Sequence, residues 1–168
     1  IYLCDQLWRG NIGTGMRVLD AGCGHGRNLV YLMREGFEVY GVDLNAEGSS
    51  NGRQMAAVVA PHLPAKNFQV AAVEAMPFAD GFADVVVCNS VLHFARSDAH
   101  FEAMLQELWR VLRPGGMLFC RLGSPVGMEF EPVPDAGTQR RFRLRDGAEW
   151  YLVDEAMLME LTERLGGH

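Results

Sequence analysis

The segment Asp20-Ala21-Gly22-Cys23-Gly24-His25-Gly26 constrains this chain more than any other. It stands where an apolar run, Met16-Arg17-Val18-Leu19-Asp20, gives way to a helical pattern with Leu29, Val30, Leu32 and Met33 on one face. Glycines at alternate positions let the backbone turn sharply and approach a ligand, and the helix that follows presents free amides. Strand, glycine turn and helix in that order open an α/β unit with parallel strands. Gly36 is expected to close the first helix as a left-handed cap, and Phe37 to Val42 reads as a second strand ending at Asp43. A weaker helix is expected only from about residue 53 to 60, because Gly48, Ser49, Ser50 and Gly52 disfavour an earlier start. Phe68 to Val73 reads as a third strand. Asp84 to Cys88 reads as a fourth with little polarity, as suits a strand covered on both faces.

Residues 74–82 alone separate strands three and four, fewer than the usual crossover of about 10–12 residues. Extended, they still reach roughly 30 Å, enough for a parallel return as a taut loop. A helix over about 98–112 is the clearest, with Phe101, Met104, Leu105, Leu108 and Leu112 in one stripe. Arg113-Pro114-Gly115-Gly116 is expected to end it in a turn, and Met117 to Cys120 to form a fifth strand. Residues 123–138 read as a Gly/Pro-rich loop. Arg141 to Leu144 and Glu149 to Val153 flank Asp146-Gly147 as a hairpin, and Asp154 caps a last helix through Leu165 that buries Leu158, Leu161 and Leu165. The expected organisation is a single domain over 1–168, with core motifs at 15–122, an inserted loop and hairpin at about 123–153, and a last helix at about 154–165.

A chain of 168 residues with 49% hydrophobic content buries enough surface for one core without staples. Its four cysteines form no CxxC pair, which excludes a zinc ribbon or disulfide framework and suits a reducing compartment; no metal site is expected. No apolar run reaches the roughly 20 residues of a membrane span, and residues 1–15 hold no signal-peptide core. A formal net charge of −6 argues against nucleic-acid or anionic-membrane partners. A cytoplasmic location is expected; nothing in the sequence speaks to oligomeric state. The chain opens at Ile1 without an initiator methionine and stops at Gly166-Gly167-His168 just after a helical pattern, so a piece of a longer protein is expected.

Ligands of open α/β sheets bind beyond the carboxyl ends of the strands, where the glycine turn and Asp43 both lie, and a carboxylate there suits the two hydroxyls of a ribose. The dinucleotide fingerprint needs a glycine three places after the second; Arg27 stands there, so a nicotinamide-dependent oxidoreductase is disfavoured. Asp20 ahead of the glycines suits a cationic ligand better than a pyrophosphate.

Over residues 15–122 the chain resembles the class I S-adenosylmethionine-dependent methyltransferases, most of all their small-molecule branch, similar to quinone-biosynthesis and tellurite-resistance-type enzymes. Val18 to Gly26 resembles the first motif, Val39 to Leu44 the second, Glu74 to Phe78 through Asp84-Val85-Val86 the adenine-flanking loop and strand, and Leu112 to Gly116 the turn into strand five. The resemblance implies a Rossmann-like α/β fold, a doubly wound and mostly parallel sheet with helices on both faces. The family adds two further strands, and this chain ends before them, so an incomplete sheet is expected. S-adenosyl-L-methionine is the implied cofactor and S-adenosyl-L-homocysteine its product, with direct in-line methyl transfer to a small-molecule acceptor.

The implied cofactor residues are Asp20, Ala21, Gly22, Cys23, Gly24 and Gly26 in the turn, Asp43 and Leu44 after strand two, Val73, Glu74 and Ala75 at the adenine, and Asn89 and Ser90 toward the amino-acid end. Ala72-Val73 stands where the family often has an acid just before the adenine loop, so Glu74 or backbone groups near Val73 take that task. His93 follows strand four as a candidate general base, with a packed histidine as its other reading. His25 reads as lining. Arg140, Arg141, Arg143 and Arg145 read either as a lid for an anionic substrate or as an exposed hairpin face. The segment from Ile1 to Trp8 either closes over the cofactor or packs under the sheet. A non-catalytic sensor or scaffold that keeps the cofactor pocket is the rival to the enzyme.

Overall fold

The computed structural model describes residues 2–127, 129–133 and 137–167. Helix α1 (Tyr2–Trp8) precedes β1 (Arg17–Ala21), α2 (Val30–Arg34), β2 (Glu38–Asp43), α3 (Ala46–Val59), β3 (Phe68–Val70), β4 (Ala83–Asn89), α4 (Asp98–Val111) and β5 (Leu112–Arg121). Then come β6 (Phe130–Pro132), β7 (Arg141–Leu144), β8 (Glu149–Tyr151) and α5 (Glu155–Arg164). The first five strands form one parallel sheet in the order β3-β2-β1-β4-β5, and the last three form a separate antiparallel sheet, β6-β7-β8. The order reverses direction at β1, so the carboxyl ends of β1, β2 and β4 meet at a switch point.

Alternate residues along the strands feed two apolar layers. Leu19 and Val86 face a core built with Leu105 and Leu108 of α4 and Tyr151 of β8, while Val18, Val85 and Val87 face Leu29, Leu32 and Met33. Leu3 and Leu7 of α1 pack on the second layer, so the N-terminal segment lies against the sheet. Leu161 of α5 is buried, but Leu158 is 37% exposed, contrary to the expected face.

Helix α3 starts seven residues before the sequence expectation of residue 53 because its small residues are sites of close approach. Asn45 caps it by accepting the Glu47 N–H (2.9 Å). Gly48 lies under Asp43, where an added Cβ would fall 2.9 Å from the carboxyl carbon. Ser49, fully buried, donates its hydroxyl to the Gln69 carbonyl of β3 (2.8 Å). A Cβ at Gly52 would meet the Phe68 ring at 2.9 Å. Tertiary packing overrides the poor helix propensity of these positions.

Strand β3 is shorter than expected, and Val73–Ala75 is a 3-10 turn within the connection to β4. Polar side chains of α4 hold that connection. Glu107 accepts the Met76 N–H (2.7 Å), while Arg110 donates to the carbonyls of Phe78 (2.8 Å) and Met76 (3.2 Å). The turn expected at Arg113–Gly116 is an excursion inside β5: Leu112 pairs with Ala83 and Met117 with Val85, so the four intervening residues bulge opposite Asp84. Residues 130–132, read as loop, add a third strand to the expected hairpin. Asp154 caps α5 by accepting the Met157 N–H (2.8 Å).

Leu108 is fully buried between α4 and the sheet. Leu108→Ala is expected to cost about 2–5 kcal/mol in urea denaturation, whereas Leu158→Ala costs less than about 1 kcal/mol.

Candidate functional site

The glycine turn closes at the end of β1. The Val42 carbonyl accepts both Gly22 N–H (2.8 Å) and Cys23 N–H (2.9 Å), and Gly26 N–H returns to the Cys23 carbonyl (2.8 Å). Gly22 has φ +85, and a Cβ there would fall 2.2 Å from Val91 Cγ2, so only glycine fits. Asp43, at the end of β2, accepts Gly24 N–H on Oδ2 (2.8 Å) and Asn45 N–H on Oδ1 (2.8 Å). One carboxylate therefore joins the turn after β1 to the loop that starts α3.

A cleft of about 710 Å³ opens over these ends. Of the residues expected in the site, Gly22, Cys23, Gly24, Asp43, Leu44, Val73, Glu74, Asn89 and Ser90 line it, as does His25. Ala21, Gly26 and Ala75 are not among its walls. Ala21 is fully buried in β1, and Gly26 (φ +74) packs instead toward Gly52, where a Cβ would meet Gly52 Cα at 3.5 Å.

Asp20 lies beneath the floor. It is fully buried, Asn28 Nδ2 donates to its Oδ2 (3.3 Å), and Oδ1 has no hydrogen-bond partner among the described residues. Burial, opposed by the Asn28 bond and helped by the nearby Asp43 charge, pushes its carboxyl up to about 7. Asn28 passes the contact onward: its Oδ1 accepts Asn89 Nδ2 (3.1 Å), and Asn89 Oδ1 accepts the Ser90 hydroxyl (3.2 Å). Ser90 has φ +65, alone among the described non-glycine residues in a left-handed conformation, and strain of this kind gathers at functional sites. Burial and the carboxylates of Asp20 and Asp43 push the Cys23 thiol up to about 12, so it stays a small neutral wall.

His93 does not line the cleft. Its ring stacks on Trp150 of β8 (4.2 Å between centroids, 22°) and tilts against Phe94 (4.3 Å), and burial together with the Arg121 charge holds its pKa below the ordinary value. Packing by the appended sheet therefore favours the packed reading of this histidine. The Arg140–Arg145 cluster is neutralised within its surroundings: Arg140 pairs with Asp154, Arg141 and Arg143 with Glu149, and Arg145 with Glu129.

Several cleft residues escaped sequence reasoning, among them Arg27, Asn28, Phe94, Arg96, His100 and Met104. Asn28 lies two residues past the glycines, near enough to have been singled out. Arg27 directly follows Gly26, whereas Phe94, Arg96, His100 and Met104 come from the turn and helix after β4, and only the tertiary fold brings these four over the glycine turn. His100 Nδ1 accepts Arg96 N–H (3.1 Å), which leaves Nε2 to face Glu74 Oε1 at 3.1 Å as the donor.

The family model described as a methyltransferase domain matches residues 19–120. Malonyl-[acyl-carrier protein] O-methyltransferase of Enterobacter lignolyticus is 37% identical over 102 residues, covering 61% of this chain and 37% of that enzyme. The chain thus spans little more than a third of the length of this curated relative. Among solved structures, a SAM-dependent methyltransferase from Methanosarcina mazei has a TM-score of 0.73 at 21% identity, over 95% of this chain and 82% of that one. Magnesium protoporphyrin IX methyltransferase from Synechocystis PCC 6803, solved with bound SAH, has a TM-score of 0.69 at 22% identity, over 98% of this chain and 69% of that one. At these identities the structural likeness speaks for the fold.

Because the folded-state pKa of Asp20 lies above the ordinary carboxylate value, its contribution to stability is greatest below about pH 4 and is lost as pH rises to about 7. Asp20→Asn removes this dependence. The variant is expected to gain on the parent between about pH 4 and 7, by on the order of 2–4 kcal/mol in total, in urea denaturation at each pH.

Proposed function

Since the chain belongs to the class I S-adenosylmethionine-dependent methyltransferases, we propose that the cleft over Gly22–Gly24 and Asp43 holds S-adenosylmethionine and that the protein methylates a small-molecule acceptor. The observation that carries this reading is the Asp43 carboxylate, fixed by two backbone amides at the lip of a turn where a Cβ would strike Val91. The buried Asp20 oxygen, without a hydrogen-bond partner among the described residues, agrees with it, because a cationic ligand above the turn offers a compensating charge.

In this reading each residue has a task. Each Asp43 oxygen spends one lone pair on a backbone amide, and the remaining lone pairs face the ribose hydroxyls. Leu44, 76% exposed, and Val73 supply the apolar walls for the adenine, with Glu74 at its edge. Gly22, Cys23 and Gly24 let the cofactor lie against bare backbone, while Ala21 and Gly26 shape the turn from outside the cleft. Ala75 completes the 3-10 turn that presents Val73 and Glu74. Asn89 and Ser90, held through Asn28 to Asp20, face the amino-acid end. When bound, S-adenosylmethionine would supply an electrophilic methyl group, whose carbon would take the acceptor's lone pair while the C–S bond breaks and the sulfur leaves as a neutral thioether. Val91, Phe94 and Met104 keep that part of the cleft apolar, and a dry, oriented approach accounts for much of the rate in such a transfer. His93 supports this wall through Trp150 and takes no proton in this scheme.

Asp43→Ala is expected to weaken S-adenosylhomocysteine binding at least about tenfold in calorimetry, with a fall in thermal midpoint from the two freed amides. An unchanged dissociation constant would remove Asp43 from the site. Incubation with methyl-labelled S-adenosylmethionine and a panel of thiol, amine, phenol and carboxylic acid acceptors tests the activity itself. Labelled product is expected; cofactor binding with no product from any class would favour the sensor or scaffold.

A further inference from the structure

Most arginines of this chain lie within 4 Å of a carboxylate, including all those of the Arg140–Arg145 hairpin. Among the described residues Arg27, Arg34, Arg53, Arg96 and Arg121 do not have one, and of these Arg27, Arg96 and Arg121, although far apart in sequence, lie at the cleft or against a residue that lines it. Arg27 and Arg96 line the cleft with exposed side chains, and Arg121 reaches its wall by donating Nη1 to the Ser90 hydroxyl (3.4 Å). In a chain of formal net charge −6, guanidinium groups without counter-ions at the mouth of a cleft create a local field of opposite sign to the whole.

The strand order separates the charges. Asp43 ends β2 and Glu74 follows β3 on one side of the switch point, while Arg96 follows β4 and Arg121 ends β5 on the other. On the arginine side the cleft is lined by Val91 and by Phe94, which leaves 61% of its surface exposed. Guanidinium groups beside an exposed aromatic ring match a ligand with an oxyanion joined to an apolar body, because the planar fork of donors fits a carboxylate or a phosphate.

We propose that the methyl acceptor is an oxyanion, a carboxylate or a phosphate ester on an apolar body, gripped by Arg27, Arg96 and Arg121 and covered by Phe94. This rests on the reading of the same cleft as the S-adenosylmethionine site, and it names the class of molecule that the rest of the cleft receives. The arginine hairpin plays no part in the grip, since its charges are already answered by Asp154, Glu149 and Glu129.

The test uses the full chain saturated with S-adenosylhomocysteine and titrated with benzoate, phenyl phosphate and neutral benzamide, with chemical shifts followed by NMR. At least one anion is expected to bind about tenfold more tightly than benzamide, and the better of the two identifies a carboxylate or a phosphate as the preferred group. Arg96→Gln and Arg121→Gln are each expected to weaken that anion about fivefold, as is Arg27→Gln, and added sodium chloride to weaken it in the parent. The three variants should keep their thermal midpoints and bind S-adenosylhomocysteine within about twofold of the parent. Equal binding of benzamide and both anions, or anion affinity unmoved in all three variants, would overturn the proposal. It would equally be overturned if the substitutions weakened S-adenosylhomocysteine instead, because the arginines would then serve the cofactor's own carboxylate. A parent protein that binds no S-adenosylhomocysteine at all would strike at the cofactor reading itself.

Discussion

The carboxylate of Asp43 holds together the place where three segments end. Its two oxygens take the amides of Gly24 and Asn45, so the turn after β1, the end of β2 and the start of α3 share one fixed point. Gly48 is part of the same arrangement, since any side chain there would press on the carboxyl carbon. Bonds from backbone amides to an ionised carboxylate are stronger than neutral ones, and they cost no side-chain entropy on the donor side. The lip of the cleft is thereby preorganised without any ligand.

Beneath this point the molecule carries an electrostatic debt. Asp20 is surrounded by apolar strand residues and has one bond to Asn28, which turns its other end to Asn89. A chain of amide and hydroxyl groups thus runs from the buried acid to the strained Ser90 at the cleft wall. Networks of this kind define geometry well when every member is satisfied, and Asp20 Oδ1 is the member that is not. The site therefore combines a rigid rim with a floor whose charge is incompletely answered.

Much of this was legible in the residues. The glycine turn, Asp43, the apolar runs of β1, β2 and β4 and the stripe of α4 are local patterns, and local patterns with a strong period survive folding. The start of α3 was not legible, because Gly48, Ser49 and Gly52 are weak helix formers whose use appears only when Asp43, Gln69 and Phe68 are placed around them. The third strand of the small sheet needed Arg141–Leu144 as a partner before residues 130–132 could read as a strand. Nine of the cofactor residues that the family resemblance implies line the cleft, at the ends of β1, β2 and β4 and in the 3-10 turn. Arg96 and His100 were invisible as cleft residues, since a helix that begins at Asp98 must first be laid across the sheet. His93 had two readings, base or packed ring, because position after β4 says nothing about the direction of a ring, and its stacking on Trp150, more than fifty residues later, favours the packed one.

Asp98 gives the appended sheet a mechanical meaning. Its Oδ1 accepts hydroxyls from both Tyr151 of β8 and Thr138, and Tyr151 also stacks on Phe101 one turn along α4 (4.8 Å between centroids). His100, which faces Glu74 across the cleft, lies on that same first turn. The outer hairpin and the cleft wall are consequently anchored on the same turn of α4, with Asp98 as their shared point of attachment.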